Sequence, residues 1–289
     1  MPELPEVETV KRGLNKLIIK RKIVKAVSDN PKSFPNSAAD VNGFLIGSTV
    51  KEVRRRAKVL MIDLSTDYTL VIHLKMTGQL VFVDKSERFG AGHPNDSLVG
   101  GLPDKSTRVT IEFADGSHLY FNDQRKFGWV RLMPTLEVPN IDFMKKVGPE
   151  PLEPDFTADD FIARFRKRPG ANIKAAILDQ TVIAGVGNIY ADESLWGAKI
   201  HPKRLVKNIS DDELRQLYLE VREVMNLSIE KGGSTNRNYV NAEGKKGSYM
   251  NFAKVFRREG LPCPRCGTEI IKIRVAGRGT HICPFCQRT

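Results

Sequence analysis

Apolar residues recur at helical spacing from the very start of the chain. Val7, Val10, Leu14, Leu17 and Ile18 fall on one face between Glu3 and Ile18, with Pro5 near the first turn, which predicts a helix beginning almost at the terminus. From about residue 22 to residue 133 the period shortens. Strands are expected at Val59–Leu64, Leu70–Leu74, Leu80–Val83, Val109–Phe113 and Leu119–Phe121, punctuated by Asp-Gly and Thr-Gly turns. The first half is therefore a β-rich domain with one helix at its front. Residues 85–107 (KSERFGAGHPNDSLVGGLPDKST) are rich in glycine, proline and polar side chains and are expected to form a long mobile loop. Prolines in VGPEPLEPDF, residues 147–156, mark a linker. Beyond it the helical period returns, predicting helices over Asp159–Arg166, Ile173–Ile183, Ala191–Lys199 and Ser210–Lys231. Ser210 and Glu213 have the spacing of a capping box for the last of these, and Gly232 and Gly233 end it. A polar loop follows, then a cysteine module, with no internal repeat or low-complexity tract.

A length of 289 residues, 40% of them apolar and 28% charged, describes a soluble globular chain with two or more folded units. No run approaches a membrane span, and MPELPEVETV lacks the basic-then-apolar pattern of a signal peptide, so a cytosolic protein is expected. The net charge of +12 changes the picture more. An excess of that size suggests a polyanionic partner, because each Lys or Arg paired with a phosphate releases counterions. A merely soluble basic protein is the bland alternative.

All four cysteines lie near the end, as Cys263-x2-Cys266, sixteen residues, then Cys283-x2-Cys286. Four thiolates at this spacing complete a closed tetrahedral shell, so one structural zinc is expected, with a redox pair or disulfides as the competing readings. Between the knuckles, Lys272, Arg274 and the turn Ala276-Gly277-Arg278-Gly279-Thr280 suggest two strands joined by a tip that can touch phosphates. A solvated turn would look the same.

Methionine before proline favours trimming, which leaves Pro2 with a free secondary amine. At the positive end of a helix extra cationic charge is disfavoured, so the amine's pKa falls from an ordinary value near ~8 and more neutral nucleophile is available. Glu3 and Glu6 lie beside it and could supply acid–base chemistry. Acidic residues in a first turn also simply complement the helix dipole.

The start PELPEVETV, LKMTGQL at 74–80, DQRKFG at 123–128, DQTVIAGVGNIYADE at 179–193 and the zinc module with RGT at 278–280 together resemble the bacterial formamidopyrimidine-DNA glycosylase family, in the family's order and over nearly the whole chain. The resemblance implies an α+β multidomain fold: an N-terminal β-sandwich flanked by helices (1–135), a linker (136–150), a helix–two-turns–helix domain with a lesion-capping loop (151–250) and a C-terminal β-hairpin zinc finger (251–289), with damaged double-stranded DNA gripped between the halves. It implies a monomeric bacterial cytoplasmic enzyme, nucleoid-associated through DNA, that excises oxidised purines such as 8-oxoguanine and formamidopyrimidines in base excision repair. Pro2 would attack C1′, expel the base and form a Schiff base, and Glu3 would donate a proton. Lys58 in RRRAKVL would assist strand cleavage by β,δ-elimination, and Arg278 would hold the phosphates around the lesion.

For binding, the resemblance places Asn188 at a phosphate, beside a glycine turn that could alone be a tight helix–helix connection. Met76, Arg125 and Phe127 would fill the gap left by the extruded base. Without the resemblance, Met76 and Phe127 look like core residues. Glu6 occupies an acidic position near the nucleophile, and Ser234, Thr235 and Tyr239 belong to the loop that closes over the flipped base. Ser106 stands where a DNA-contacting histidine is usual, and Gly170 where a lysine is usual, with Arg168 or Lys174 as candidate replacements. The loop 88–104 is longer than the family pattern. Three other readings compete. The endonuclease VIII branch of the superfamily is disfavoured by PELPE and DQRKFG. A non-catalytic damage-binding protein is disfavoured by Pro2, Glu3 and Lys58 occurring together. An RNA-binding zinc protein leaves the front-end motifs unexplained.

Overall fold

The computed structural model describes residues 2–93, 95–234 and 249–289. They form two compact units, Met1–Lys145 with Ile229–Met250, and Lys146–Ser228 with Asn251–Thr289. No helix among the described residues is long and apolar enough to cross a membrane.

The first unit opens with helix α1, Leu4–Leu17. Two antiparallel sheets follow, built from strands β1 (Ile23–Ser28), β2 (Val50–Arg56), β3 (Val59–Leu64), β4 (Tyr68–His73), β5 (Gly78–Val83), β6 (Arg88–Gly92), β7 (Thr107–Phe113), β8 (His118–Asp123) and β9 (Trp129–Pro134). Their orders are β1-β7-β8-β5-β6 and β2-β3-β4-β9. One core joins the sheets: Leu60, Ile62, Leu70 and Ile72 from one, Leu80, Phe82, Ile111 and Phe121 from the other, with Val10 and Leu14 of α1. Burial of these side chains, each worth roughly 1.5–3 kcal/mol, is what makes the sandwich. The far faces of β3 and β4 are also covered, Val59, Met61 and Val71 packing with Val138, Trp129 and Phe143. That is why VLMIDL reads as a continuous apolar run instead of an alternation.

Where a mobile loop is expected over 85–107, the described residues of this segment pair with and pack on the sheet. Arg88–Gly92 pairs with β5 from Val83↔Arg88 to Gln79↔Gly92. The Arg88 guanidinium donates to the carbonyls of Leu98 and Ser97 at 2.9 and 3.1 Å. Leu98 and Leu102 cover Val81 and Tyr120, and Phe89 lies so close to α1 that a Cβ on Gly13 would stand 2.1 Å from its ring. Of the glycines that suggested flexibility, Gly92 permits a close approach, since a Cβ there would stand 2.5 Å from the Gly78 carbonyl oxygen.

The second unit contains α2 (Ala158–Arg166), α3 (Ile173–Leu178), α4 (Asn188–Gly197), α5 (Asp211–Glu230) and a hairpin of β10 (Ile271–Val275) and β11 (Arg278–Ile282). Phe161, Phe165, Ile177, Tyr190, Leu214 and Leu217 are its buried core. Helix α3 stops at Leu178, short of the expected Ile183. The Asp179 carboxylate accepts from the backbone N–H and hydroxyl of Thr181 at 2.9 and 2.7 Å, an Asx turn that competes with helix continuation. Helix α5 has the expected box, Ser210 N–H donating to Glu213 Oε2 at 2.8 Å and Glu213 N–H to Ser210 Oγ at 3.2 Å.

Candidate active site

Helix α1 places the front-end residues. Its first turn carries Pro5, where a missing N–H costs nothing, and Pro2, Glu3 and Glu6 are all buried at its N-terminal end. Glu6 works in two directions: Oε2 accepts the Glu3 backbone N–H at 2.8 Å, and Oε1 accepts the Ser234 N–H at 2.8 Å. The acid at position 6 thus ties the start of the chain to the start of the loop after α5. Of the three loop residues singled out from sequence, Ser234 is placed here, while Thr235 and Tyr239 lie outside the described residues.

Lys58 sits in the tight β2–β3 turn, after Ala57 at φ +52°, and is 6% exposed. A strap from α1 holds this turn. Glu8 Oε2 accepts from Arg55 Nε at 3.0 Å, and Arg55 Nη1 donates to the Ala57 carbonyl at 3.1 Å. Burial pushes the Glu8 carboxyl up, but hydrogen bonds from Arg55 and Arg12 outweigh it and hold the group below the usual carboxylate range. Neither Glu8 nor Arg55 is distinguishable in the sequence from other charged residues nearby. His73, at the end of β4, was also missed. Burial, with the Lys75 and Lys58 ammonium groups near it, holds its imidazole down to about 3, so the ring is neutral at physiological pH.

Two turns present the three residues expected to fill the gap left by an extruded base. Met76 lies between β4 and β5, and Arg125 and Phe127 between β8 and β9; all three are exposed, at 37% for Met76 and 53% for Phe127. The Arg125 guanidinium stacks on the Phe127 ring, 4.8 Å from its centroid. Apolar side chains left in water on adjacent turns are not core residues, which removes the bland reading of Met76 and Phe127. Beneath them the Thr77 hydroxyl donates to Asp123 Oδ1. The Arg125 N–H is shared by the Thr77 oxygen and Asp123 Oδ1 at 3.1 and 3.2 Å, and Gly128 N–H donates to Asp123 Oδ2 at 2.6 Å.

Two expected DNA contacts are corrected. Ser106 is 2% exposed; its hydroxyl donates to Asp104 Oδ1 at 2.7 Å and lies 3.0 Å from Ser97 Oγ, while its carbonyl accepts the Asp123 N–H at 2.8 Å. It is an internal strut and has no surface to offer a phosphate. Lys174 is wholly buried, and its ammonium is held by Asp192 and, at 2.7 Å, by Thr280 Oγ1. An ammonium enclosed in this way joins α3 and α4 to β11 and cannot replace a surface lysine. Arg168 is half-exposed beside Asp179 and remains accessible.

In the second unit Gln180 clamps the glycine turn before α4, donating to the Leu178 and Val186 carbonyls at 3.0 and 2.8 Å and accepting from Gly185 N–H at 3.0 Å. Asn188 follows as the first residue of α4, its Nδ2 donating to the Gly279 carbonyl at 3.0 Å. Arg278 is exposed at the head of β11, after Ala276 and Gly277 at φ +50° and +73°, the paired positive angles of a type I′ hairpin turn. Asn188 and Arg278 are therefore neighbours through the hairpin tip.

The thiols of Cys263, Cys266, Cys283 and Cys286 lie within 4.8 Å of one another, and Cys266 Sγ is 3.4 Å from both Cys283 Sγ and Cys286 Sγ. Sulfurs bound at about 2.3 Å around a tetrahedral zinc stand roughly 3.8 Å apart, inside that range. The donor set fits one zinc with no open position, so the metal is structural. The Glu193 carboxylate anchors the chain entering the module, accepting N–H groups of Lys254, Val255 and Phe256 at 2.8–2.9 Å.

Three family models account for the chain in succession: the formamidopyrimidine-DNA glycosylase N-terminal domain over residues 1–130, its H2TH domain over 147–240, and the zinc finger found in FPG and IleRS over 260–289. A formamidopyrimidine-DNA glycosylase of Pediococcus pentosaceus is 42% identical over 287 residues, covering 99% of both chains. Among solved structures, the complex between the Lactococcus lactis Fpg and an abasic site containing DNA superposes with a TM-score of 0.87 at 36% identity, with 99% of this chain and 100% of that chain covered. MutM in complex with carbocyclic 8-oxo-G containing DNA gives 0.86 at 36% identity, with 100% of both chains covered. The front-end motifs, the helical unit and the four-thiol finger thus occur in one chain in the order these proteins share, and the chain belongs to the formamidopyrimidine-DNA glycosylase family.

Proposed function

We propose that this chain is a bifunctional DNA glycosylase and abasic-site lyase that excises oxidised purines, 8-oxoguanine and formamidopyrimidines, from double-stranded DNA as a monomer. The observation that carries the chemistry is the position of Pro2 at the N-terminal end of α1, enclosed with Glu3 and Glu6. After removal of Met1, the proline nitrogen is a secondary amine whose lone pair attacks C1′. The bond from C1′ to the base breaks, and Glu3 supplies the proton needed in that step. The amine then gives up its proton, and the C1′–O4′ bond breaks as O4′ takes the bonding pair and a proton. The product is a ring-opened iminium at C1′, which acidifies the C2′ proton. Its loss expels the 3′ phosphate, and a second elimination expels the 5′ phosphate. Lys58, buried beside the neutral His73, assists the eliminations. Arg278 and Asn188 hold the phosphates around the lesion, and Met76, Arg125 and Phe127 occupy the space of the extruded base. A zinc held by Cys263, Cys266, Cys283 and Cys286 would supply no reaction step and would hold the hairpin that carries Arg278. The site of action is the cytoplasm, at the nucleoid.

Borohydride trapping on a duplex with one 8-oxoguanine opposite cytosine tests this reading. Wild type is expected to form a covalent adduct and Pro2→Gly to form almost none. Glu3→Gln should lose the adduct on 8-oxoguanine yet keep it on an abasic duplex, where no base has to leave. Absence of any adduct from processed, zinc-loaded wild type on both duplexes would overturn the enzymatic reading in favour of damage binding.

A further inference from the structure

The wedge side chains are exposed on two separate turns, and exposed turns lose conformational entropy when they are pressed into a base stack. Extruding a base costs a few kcal/mol of stacking and pairing, so a wedge that gives way loses the force it is meant to supply. The structure contains a device against this. Asp123 is fully buried at the end of β8, and its carboxylate binds the N–H groups of Arg125 and Gly128, which bracket the exposed turn. Thr77, immediately after Met76 and 8% exposed, donates its hydroxyl to the same carboxylate and accepts from the Arg125 N–H. Gly128 leaves the space: a Cβ there would stand 2.7 Å from the Phe121 ring and 3.1 Å from Asp123 Oδ2. From below, Arg108 Nε donates to the Asp123 carbonyl at 2.9 Å and the Ser106 carbonyl accepts the Asp123 N–H.

We propose that Thr77 and Asp123 are positioning residues for base extrusion: their buried hydroxyl–carboxylate bond locks the Met76 turn to the Arg125–Phe127 turn so that the three side chains enter the stack as one rigid wedge. The inference rests on the glycosylase reading above and adds to it two residues that touch neither the lesion nor the sugar. It separates the shape of the wedge from its chemistry. Loss of the clip slows extrusion from a duplex but leaves the amine, Glu3 and Lys58 untouched.

The test uses the full-length, zinc-loaded protein as wild type, Thr77→Val and Thr77→Ser. One substrate is a duplex with 8-oxoguanine opposite cytosine and a 2-aminopurine next to the lesion. The other is a single-stranded abasic oligonucleotide, which has no partner base to be propped apart. Thr77→Val is expected to slow single-turnover excision about tenfold, equivalent to about 1.4 kcal/mol in the barrier, and to reduce the 2-aminopurine fluorescence rise. Thr77→Ser, which keeps the hydroxyl, should restore both nearly to wild type, and all three proteins should trap the single-stranded abasic site alike. Asp123→Asn provides a second probe if Thr77→Val does not fold, with the same pattern expected. Excision by Thr77→Val at the wild-type rate would overturn the proposal. So would a parallel loss of single-strand trapping, which would reduce the clip to general support of the fold. Failure of wild type itself on both substrates would instead reject the enzymatic reading on which the proposal stands.

Discussion

At the scale of single residues, burial decides which polar groups can meet DNA. Lys174 has the right charge for a phosphate contact, but its ammonium is enclosed by Asp192 and Thr280. Removing one partner of a buried pair leaves the other uncompensated, at a cost of about 3–5 kcal/mol. Lys174→Met should therefore lower the denaturant midpoint sharply, read by circular dichroism in urea, while the DNA affinity of the folded fraction changes little. A large loss of affinity with the midpoint intact would return Lys174 to the surface role. His73 is the opposite case. As an isolated histidine in a strand it carries no signal: Lys75 is a near neighbour in the chain, but the burial of the ring and the approach of Lys58 exist only in the fold. Ser106 likewise stands where the family pattern has a DNA-contacting histidine and is an internal strut, buried with its hydroxyl on Asp104.

At the scale of elements, the strands of the first unit legible in the sequence are the five interior ones, β3, β4, β5, β7 and β8. The four that were not predicted there, β1, β2, β6 and β9, are the edges of that unit's two sheets. Edge strands carry charge, glycine and bulges that deter pairing with other chains, and those features erase the apolar signal. VKEVRRR in β2, with a bulge between Val50 and Glu52, and RFGAG in β6 are examples. The helices were more legible because their caps are local, as in Ser210 and Glu213, although the Asx turn at Asp179 ended α3 early. The hairpin β10–β11 is short: its own buried apolar side chains are Val275 and Ile282, and the apolar cluster beside it is Val255, Cys263, Ile270 and Cys283 with Trp196 and Cys286 against them. Such an element depends on its metal. Chelation of zinc should abolish amide protection over residues 271–282 and weaken duplex binding at least about tenfold, because Arg278 and the Asn188–Gly279 tie lose their frame. Unchanged hydrogen exchange in the zinc-free protein would show that the hairpin is held by other means.

At the scale of the whole molecule, the net charge of +12 is a statement about affinity rather than fold. Counterion release predicts that the logarithm of the binding constant falls linearly with the logarithm of salt concentration, with a slope of about −4 to −5 if roughly five phosphates are neutralised. Replacing Arg278 by Ala should reduce that slope by about 1. A titration series showing no change of slope would place Arg278 away from the phosphates.

The sequence by itself determined what depends on local order: the first helix, the interior strands, the caps of the later helices, the four-thiol metal site and the candidates for nucleophile and acid. Each is written in residues close together in the chain, or in a spacing that chemistry restricts to few meanings. Only the tertiary structure decided what depends on distance: that Glu8 and Arg55 brace the Lys58 turn, that Ser106 and Lys174 are enclosed, and that Thr77 and Asp123 join two turns 46 positions apart. A hydroxyl or a carboxylate has the same formula in water and in a core. Whether it contacts a partner molecule or holds the scaffold is set by which neighbours satisfy its hydrogen bonds once water is gone.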